Sequence, residues 1–269
     1  MATLAPATPR APADHPVGIH QGATGPSGRW RSMAGMSLRP ILLAAVLLLL
    51  YLWVQAQNLD SIETRALDPG KIRTDLWQHV KLSLIATAMT IAIAVPLGVL
   101  LTRPVARRIK PIGLGLGNFG QAIPSIGLIV LLALWLGIGF WTAVIGLVAY
   151  ATLPILRNTI VGLDGVDPSL KEAARGMGMS RLAVLGRVEL PLAVPVILAG
   201  IRTALVLTVA TATLATFIDA GGLGSGLVAG IKLSRPSLSL TFGVLAAVLA
   251  LFADWVGGIA EEVLRPRGI

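Results

Sequence analysis

Cysteine is absent from all 269 residues. That excludes a disulfide framework, a thiolate metal site and a cysteine nucleophile. Charge is scarce too. Asp, Glu, Lys and Arg make up 13% of the chain, against 55% hydrophobic residues. With a mean hydropathy of +0.80, the composition is too apolar for a soluble domain, and an all-α integral membrane protein is expected. The three histidines, His15, His20 and His79, lack metal-ligand spacing, so neither metal nor cofactor is expected. A phosphate-binding loop of the form G-x-x-x-x-G-K-S/T is missing, since Gly70-Lys71 lacks the upstream glycine and the following hydroxyl. No nucleophile elbow or H-E-x-x-H occurs either. The chain is therefore expected not to be an enzyme, and any use of ATP falls to a partner.

Long apolar runs are what is present. Residues 1–37 are rich in Pro, Gly, Ala and Ser and read as a disordered cytoplasmic tail. A cleaved signal peptide is the rival reading. No small-residue cleavage site clearly follows Leu50, however, and Tyr51 and Trp53 stand where interface anchors do, so an uncleaved first span over 38–56 is preferred. Further spans are expected over 80–101, 112–136, 141–163, 192–218 and 238–259, each near the ~20 apolar residues needed to cross a bilayer. The membrane domain then occupies 38–260, with a short cytoplasmic tail over 261–269. Gln57 to His79 is the longest expected external segment, and Asp219 to about Pro236 a Gly-rich external loop.

The formal charge of +9 raises nucleic-acid binding, but topology explains it better. Arg103, Arg107, Arg108 and Lys110 fall together between two apolar runs with no acid among them, as loops on the cytoplasmic side do. Six crossings put both termini on that side as well, and no nucleic-acid partner is needed. Inside the apolar runs, Asn118, Gln121 and Ser125 in the third span and Thr208 and Thr211 in the fifth are candidates for a translocation path. Packing against a partner helix explains each singly at least as well, and threonine readily returns a hydrogen bond to its own helix. Arg202, Asp219 and Asp254 lie toward span ends and read as interfacial or structural.

One polar stretch interrupts the apolar pattern with its own helix punctuation: residues 167–191, DPSLKEAARGMGMSRLAVLGRVELP. Asp167 is placed to cap a helix that Pro168 opens. Gly176 and Gly178 end it, and Ser180 caps a second short helix. Two helices with a glycine elbow, lying outside the bilayer, are expected.

The spacing Glu172-Ala173-Ala174, Gly178, Val188, Leu190-Pro191 resembles the EAA loop of ABC-importer permeases, with Val188 in an Ile-like position. Three further runs resemble the osmoprotectant branch of that family. They are Gln121-Ala-Ile-Pro-Ser-Ile-Gly-Leu, Leu153-Pro-Ile-Leu-Arg-Asn-Thr, and Phe217-Ile-Asp-Ala-Gly-Gly-Leu-Gly. The resemblance implies a permease for glycine betaine, choline or carnitine, with permeases for methionine or sulfonates as the alternative. It implies a multi-pass protein of the inner (cytoplasmic) membrane, in contact with lipid, with both termini cytoplasmic. It implies a separate ABC ATPase subunit, a second permease subunit, identical or paralogous, and an extracytoplasmic substrate-binding protein. Asp167, Glu172, Ala173, Ala174, Gly178, Leu190 and Pro191 are then the ATPase-coupling loop. A quaternary ammonium is recognised by an aromatic cage, and a chain that is only 5% aromatic leaves that task to the binding protein. A channel or ATP-independent carrier, or a membrane scaffold, would leave the EAA loop without a role.

Overall fold

A computed structural model describes residues 26–106 and 108–264. The expected tail over 1–25, Arg107 and residues 265–269 lie outside the described residues. All regular structure among the described residues is helical. In order, the α-helices are α1 (Pro26–Gln55), α2 (Ser61–Ala66), α3 (Pro69–Leu101), α4 (Lys110–Ala122), α5 (Ser125–Leu136) and α6 (Phe140–Asp164). There follow α7 (Pro168–Gly176), α8 (Arg181–Val184), α9 (Leu190–Ala212), α10 (Gly224–Lys232) and α11 (Pro236–Leu264). A π-turn (Leu185–Glu189) leads into α9 and a 3-10 turn (Thr213–Ile218) leads out of it. Helix α1 begins inside the stretch expected to be disordered, and its apolar part is Leu38–Gln55.

Among the described residues, five helical stretches are long and apolar enough to cross a membrane: Leu38–Gln55, Pro69–Leu101, Phe140–Asp164, Arg181–Ile218 and Pro236–Leu264. Helices α4 and α5 pass the same test only together, bent by 97° at the break between them, the geometry of a broken span or of a re-entrant pair. The third span, expected as one helix over 112–136, is thus broken. Proline 124 is the cause. It forces Ile123 out of the helical region, to φ −74° and ψ 131°, because a residue before proline avoids it.

Three buried clusters fix the helix directions. At one end, Leu82 and Ala86 of α3 meet Val144 and Leu147 of α6 and Ala212 and Ala215 from the end of α9. In the middle, Ala94 and Leu101 meet Ala151, Ile155 and Ile160, together with Ala204. At the far end, Leu163 meets Ala193 and Ile197, with Val99 and Leu190 alongside. So α3 and α6 run parallel, and α9 runs against both. Glycines allow the close approach of α6 and α9: a Cβ on Gly200 would stand 2.6 Å from Cβ of Asn158 and 3.0 Å from the Pro154 carbonyl.

Two polar segments differ from expectation. Helix α3 starts at Pro69, not near residue 80, capped by the Asp68 carboxylate, which accepts from Gly70 and Lys71 N–H. At 33 residues it is about 50 Å long, well beyond the ~30 Å hydrocarbon core, so its polar first turns need not be apolar. The Gly-rich segment expected as a loop contains α10. Side chains of α3 tie down its start. Gln78 Oε1 accepts from Gly222 N–H at 3.2 Å, His79 Nδ1 from Leu223 N–H at 3.3 Å, and Asp75 from the Ser225 hydroxyl at 3.3 Å. The other His79 nitrogen meets the Val209 carbonyl at 2.9 Å, near where α9 tightens into its 3-10 turn.

Candidate functional site

The segment from Asp167 to Pro191 forms the helical elbow. The Asp167 carboxylate accepts from Ser169 N–H at 2.8 Å, and that bond holds its pKa below the usual carboxylate range. Pro168 opens α7, where its missing N–H costs nothing. The far end closes with Met179 N–H donating to the Ala174 carbonyl and Gly178 N–H to the Arg175 carbonyl. That pairing is a Schellman motif, and it requires the left-handed φ of +83° found at Gly178. Ser180 then caps α8 through Ala183 N–H.

The elbow has two faces. Ala174 and Val184 are buried, at 2% and 1% exposure. Glu172, Ala173 and Arg175 are exposed, and so are three large apolar side chains: Leu170, Met177 and Leu182. The two adjacent alanines therefore differ: Ala174 is buried and Ala173 is exposed. Leu190 and Pro191, at the root of α9, are half-buried. Large exposed apolar side chains on a polar, charged helical hairpin are a pattern typical of interaction surfaces.

Two polar contacts hold this elbow to the bundle, and a third joins α4 to the end of α6 beside it. Lys171 Nζ donates to the Leu163 carbonyl at 3.1 Å, satisfying an acceptor at the end of α6. Lys110, opening α4, pairs with Asp164. Arg103 pairs with Glu189 at 2.5 Å. A 540 Å³ cleft lies between these groups, lined in part by Thr102, Pro104, Asp164, Pro168 and Lys171.

The path candidates lie on α4, α5 and α9. Thr208 and Thr211 are buried inside the bundle, and Thr208 returns its hydroxyl to the Ala204 carbonyl of its own helix at 2.8 Å. Gln121 is half-buried and donates to the Tyr150 carbonyl at 3.3 Å, Ser125 is half-buried, and Asn118 is exposed on α4. Asp254 and Arg202, read as interfacial or structural, form a two-pronged pair between α11 and α9, both contacts at 2.7 Å, with Arg39 adding a third at 3.2 Å. They border a 660 Å³ groove with Thr203, Val206, Ala210 and Glu261. The grip of Gln78 and His79 on the Gly-rich segment was invisible to spacing arguments, because its partners are backbone groups 144 residues away.

An all-helical membrane bundle with a capped helical elbow outside its spans defines a membrane transport component. Residues 94–266 match the model of the binding-protein-dependent transport system inner membrane component family, and the chain belongs to that family. It is 40% identical over 212 residues to the carnitine transport permease protein OpuCB of Listeria monocytogenes, covering 78% of this chain and 96% of that one. It is 39% identical over 200 residues to the choline transport system permease protein OpuBB of Bacillus subtilis, covering 74% and 91%. It is 37% identical over 216 residues to the osmoprotectant import permease protein OsmW of Salmonella typhimurium, covering 78% and 100%. Among solved structures, an inward-facing MetNI methionine ABC transporter chain matches with a TM-score of 0.64 at 23% identity, covering 72% of this chain and 96% of that one. At that identity the likeness is one of fold.

Proposed function

We propose that this chain is the membrane-spanning subunit of an importer for osmoprotectants such as glycine betaine, choline or carnitine, working with a second permease subunit. The observation that carries the reading is the elbow. Its exposed Leu170, Met177 and Leu182, set among Glu172, Arg175 and Arg181, make a docking face for an ATPase subunit. The bundle supplies no phosphate-binding loop of its own, so hydrolysis belongs to that partner. The names of the curated relatives support the substrate class. At the opposite end of the bundle, α2, α10 and the α5–α6 turn face an extracytoplasmic binding protein, which selects the substrate.

The mechanism follows from the connectivity. ATP-driven closure of two ATPase subunits displaces two elbows. Each elbow is continuous with α6 on one side and with α9 on the other, so displacement tilts these helices and alternates the access of the path between the sides. In proteoliposomes holding this permease with its ATPase and binding protein, uptake of at least one of glycine betaine, choline and carnitine is expected, dependent on ATP inside the ATPase compartment. Uptake of methionine or a sulfonate without any of the three would reject the substrate class and keep the transporter class.

A further inference from the structure

The elbow is covalently continuous with α6 and α9, but not with α3. Helix α3 packs along both, through Leu82, Ala86 and Ala94, down to Val95 and Val99 beside Leu185 and Leu190. Apolar packing of this kind is non-directional. At its start α3 is pinned to α9 by His79 on the Val209 carbonyl, and one polar link does the same at its far end. The guanidinium of Arg103, just past the end of α3, reaches Glu189 at 2.5 Å. It is braced on its own side by the Thr102 hydroxyl, at 3.0 Å from Nη2. The Glu189 side chain is 5% exposed and that of Arg103 29%, so breaking the pair leaves the Glu189 carboxylate buried and unpaired.

Glu189 also occupies a special place in the backbone. It ends the π-turn Leu185–Glu189, in which Leu190 N–H donates to the Leu185 carbonyl, five residues back. Proline 191 lies at the start of α9. It has no N–H for the carbonyl of Arg187 and its ring crowds that group, so the helical ladder is interrupted at this point. Single π-turns inside helices concentrate at functional positions. Here the turn leaves Glu189 buried toward α3, while Gly186 and Arg187 stay exposed.

We propose that the Arg103–Glu189 ion pair is a permanent joint that makes the inner end of α3 move with the elbow–α9 junction, so that α3 joins the conformational change driven by the ATPase. A buried ion pair with one good geometry sets register where apolar packing does not. Without it, the elbow still docks and hydrolysis still proceeds, but α3 lags and the path fails to open. Arg103 and Glu189 are thus positioning residues; neither touches substrate or nucleotide. The inference rests on the importer reading above.

The test uses the whole complex in proteoliposomes, with glycine betaine, choline and carnitine as probes. Two ratios are read: substrate moved per ATP hydrolysed, and the fold-stimulation of hydrolysis by binding protein. Glu189→Gln and Arg103→Gln are expected to lower both at least tenfold while the ATPase stays bound and hydrolysis persists. Arg103→Glu combined with Glu189→Arg is expected to recover half or more of the wild-type ratios. The chain has no cysteine, so Arg103→Cys with Glu189→Cys creates a single addressable pair. It should be uncoupled as made and regain coupling when a short bis-thiol reagent bridges it. Wild-type ratios in the single variants overturn the joint. So does a parallel fall of uptake, hydrolysis and bound ATPase, the mark of a merely structural role. A bridged pair that abolishes transport overturns its permanence. A wild-type complex that moves none of the probes rejects the substrate reading alone, and the stimulation ratio still decides the joint.

Discussion

At the scale of single residues, the elbow separates groups that hold it in shape from groups that present it. Gly178 has φ +83° and open space around its missing side chain, with no atom within 4 Å of a Cβ placed there. Substitution therefore meets no clash and costs only the left-handed backbone, about 1–2 kcal/mol. That is too little to unfold a bundle but enough to undo a Schellman closure. Glu172 is exposed, so Glu172→Lys removes nothing from the fold and reverses a charge only where a partner sits. Both Gly178→Val and Glu172→Lys are expected to insert at wild-type levels and to lose ATPase binding, on the order of a hundredfold for the charge reversal. Pull-down of the ATPase at matched membrane expression checks this. Wild-type binding by both variants would show that the exposed face is an ordinary surface, where substitutions change little.

At the scale of elements, the short helix α2 is held by ionised carboxylates. Asp60 accepts from Ile62 and Glu63 N–H at 2.9 and 2.8 Å, and Glu63 returns a bond to Asp60 N–H at 3.0 Å. Arg235 pairs with Asp60, and the Ser237 hydroxyl donates to Glu63, so α2 is stapled to the start of α11. The Glu63 N–H above all lowers the pKa of Asp60, and the Ser237 hydroxyl above all lowers that of Glu63. Groups with lowered folded pKa contribute stability that is present above their ordinary values and lost as pH falls through the folded ones. Exchange protection of the α2 amides, corrected for intrinsic rates, should hold at neutral pH and fall between about pH 5 and pH 2. Glu63→Gln should flatten that dependence. Protection indifferent to pH would mean that the box is not what holds α2.

The same elements show what could be read beforehand. The elbow was legible because its signals are local: a capping Asp167, a first-turn Pro168, a closing Gly178, a second cap at Ser180. The break between α4 and α5 was also written locally, in Pro124, but an apolar run on both sides hid it. The start of α3 was not legible from hydropathy, because Asp75 and His79 are polar residues buried by partners far away in the chain. Thr208 and Thr211 are buried as well. Thr208 returns its hydroxyl to its own helix, the bond that threonine makes with or without a path beside it.

At the scale of the whole molecule, the number of crossings turns on the broken pair. A pair bent by 97° could turn back to the side it entered from, leaving five crossings and the termini on opposite sides. The packing argues otherwise. Because α3 and α6 run parallel, the chain between Leu101 and Phe140 has to return along the length of the bundle. Leu114 of α4 packs on the middle cluster, while Ile129 and Ala133 of α5 pack on the cluster at the α10 end. We infer that the pair climbs the bundle as one crossing, which makes six. From the basic residues at the elbow end, with Arg103, Arg108 and Lys110 beside it, we propose that this end is cytoplasmic. In a chain without native cysteine, Arg65→Cys in α2 and Ile138→Cys in the α5–α6 turn should react with an impermeant thiol reagent in intact cells. Arg108→Cys should react only after the membrane is opened. Ile138 is the discriminating position, since it is 72% exposed and lies outside only if α4 and α5 together cross. Its protection alongside Arg108, with Arg65 labelled, would make the pair re-entrant and move the C-terminus to the other face. The elbow and α3–α4 loop would then face opposite sides, which the direct contact of Arg103 with Glu189 does not allow.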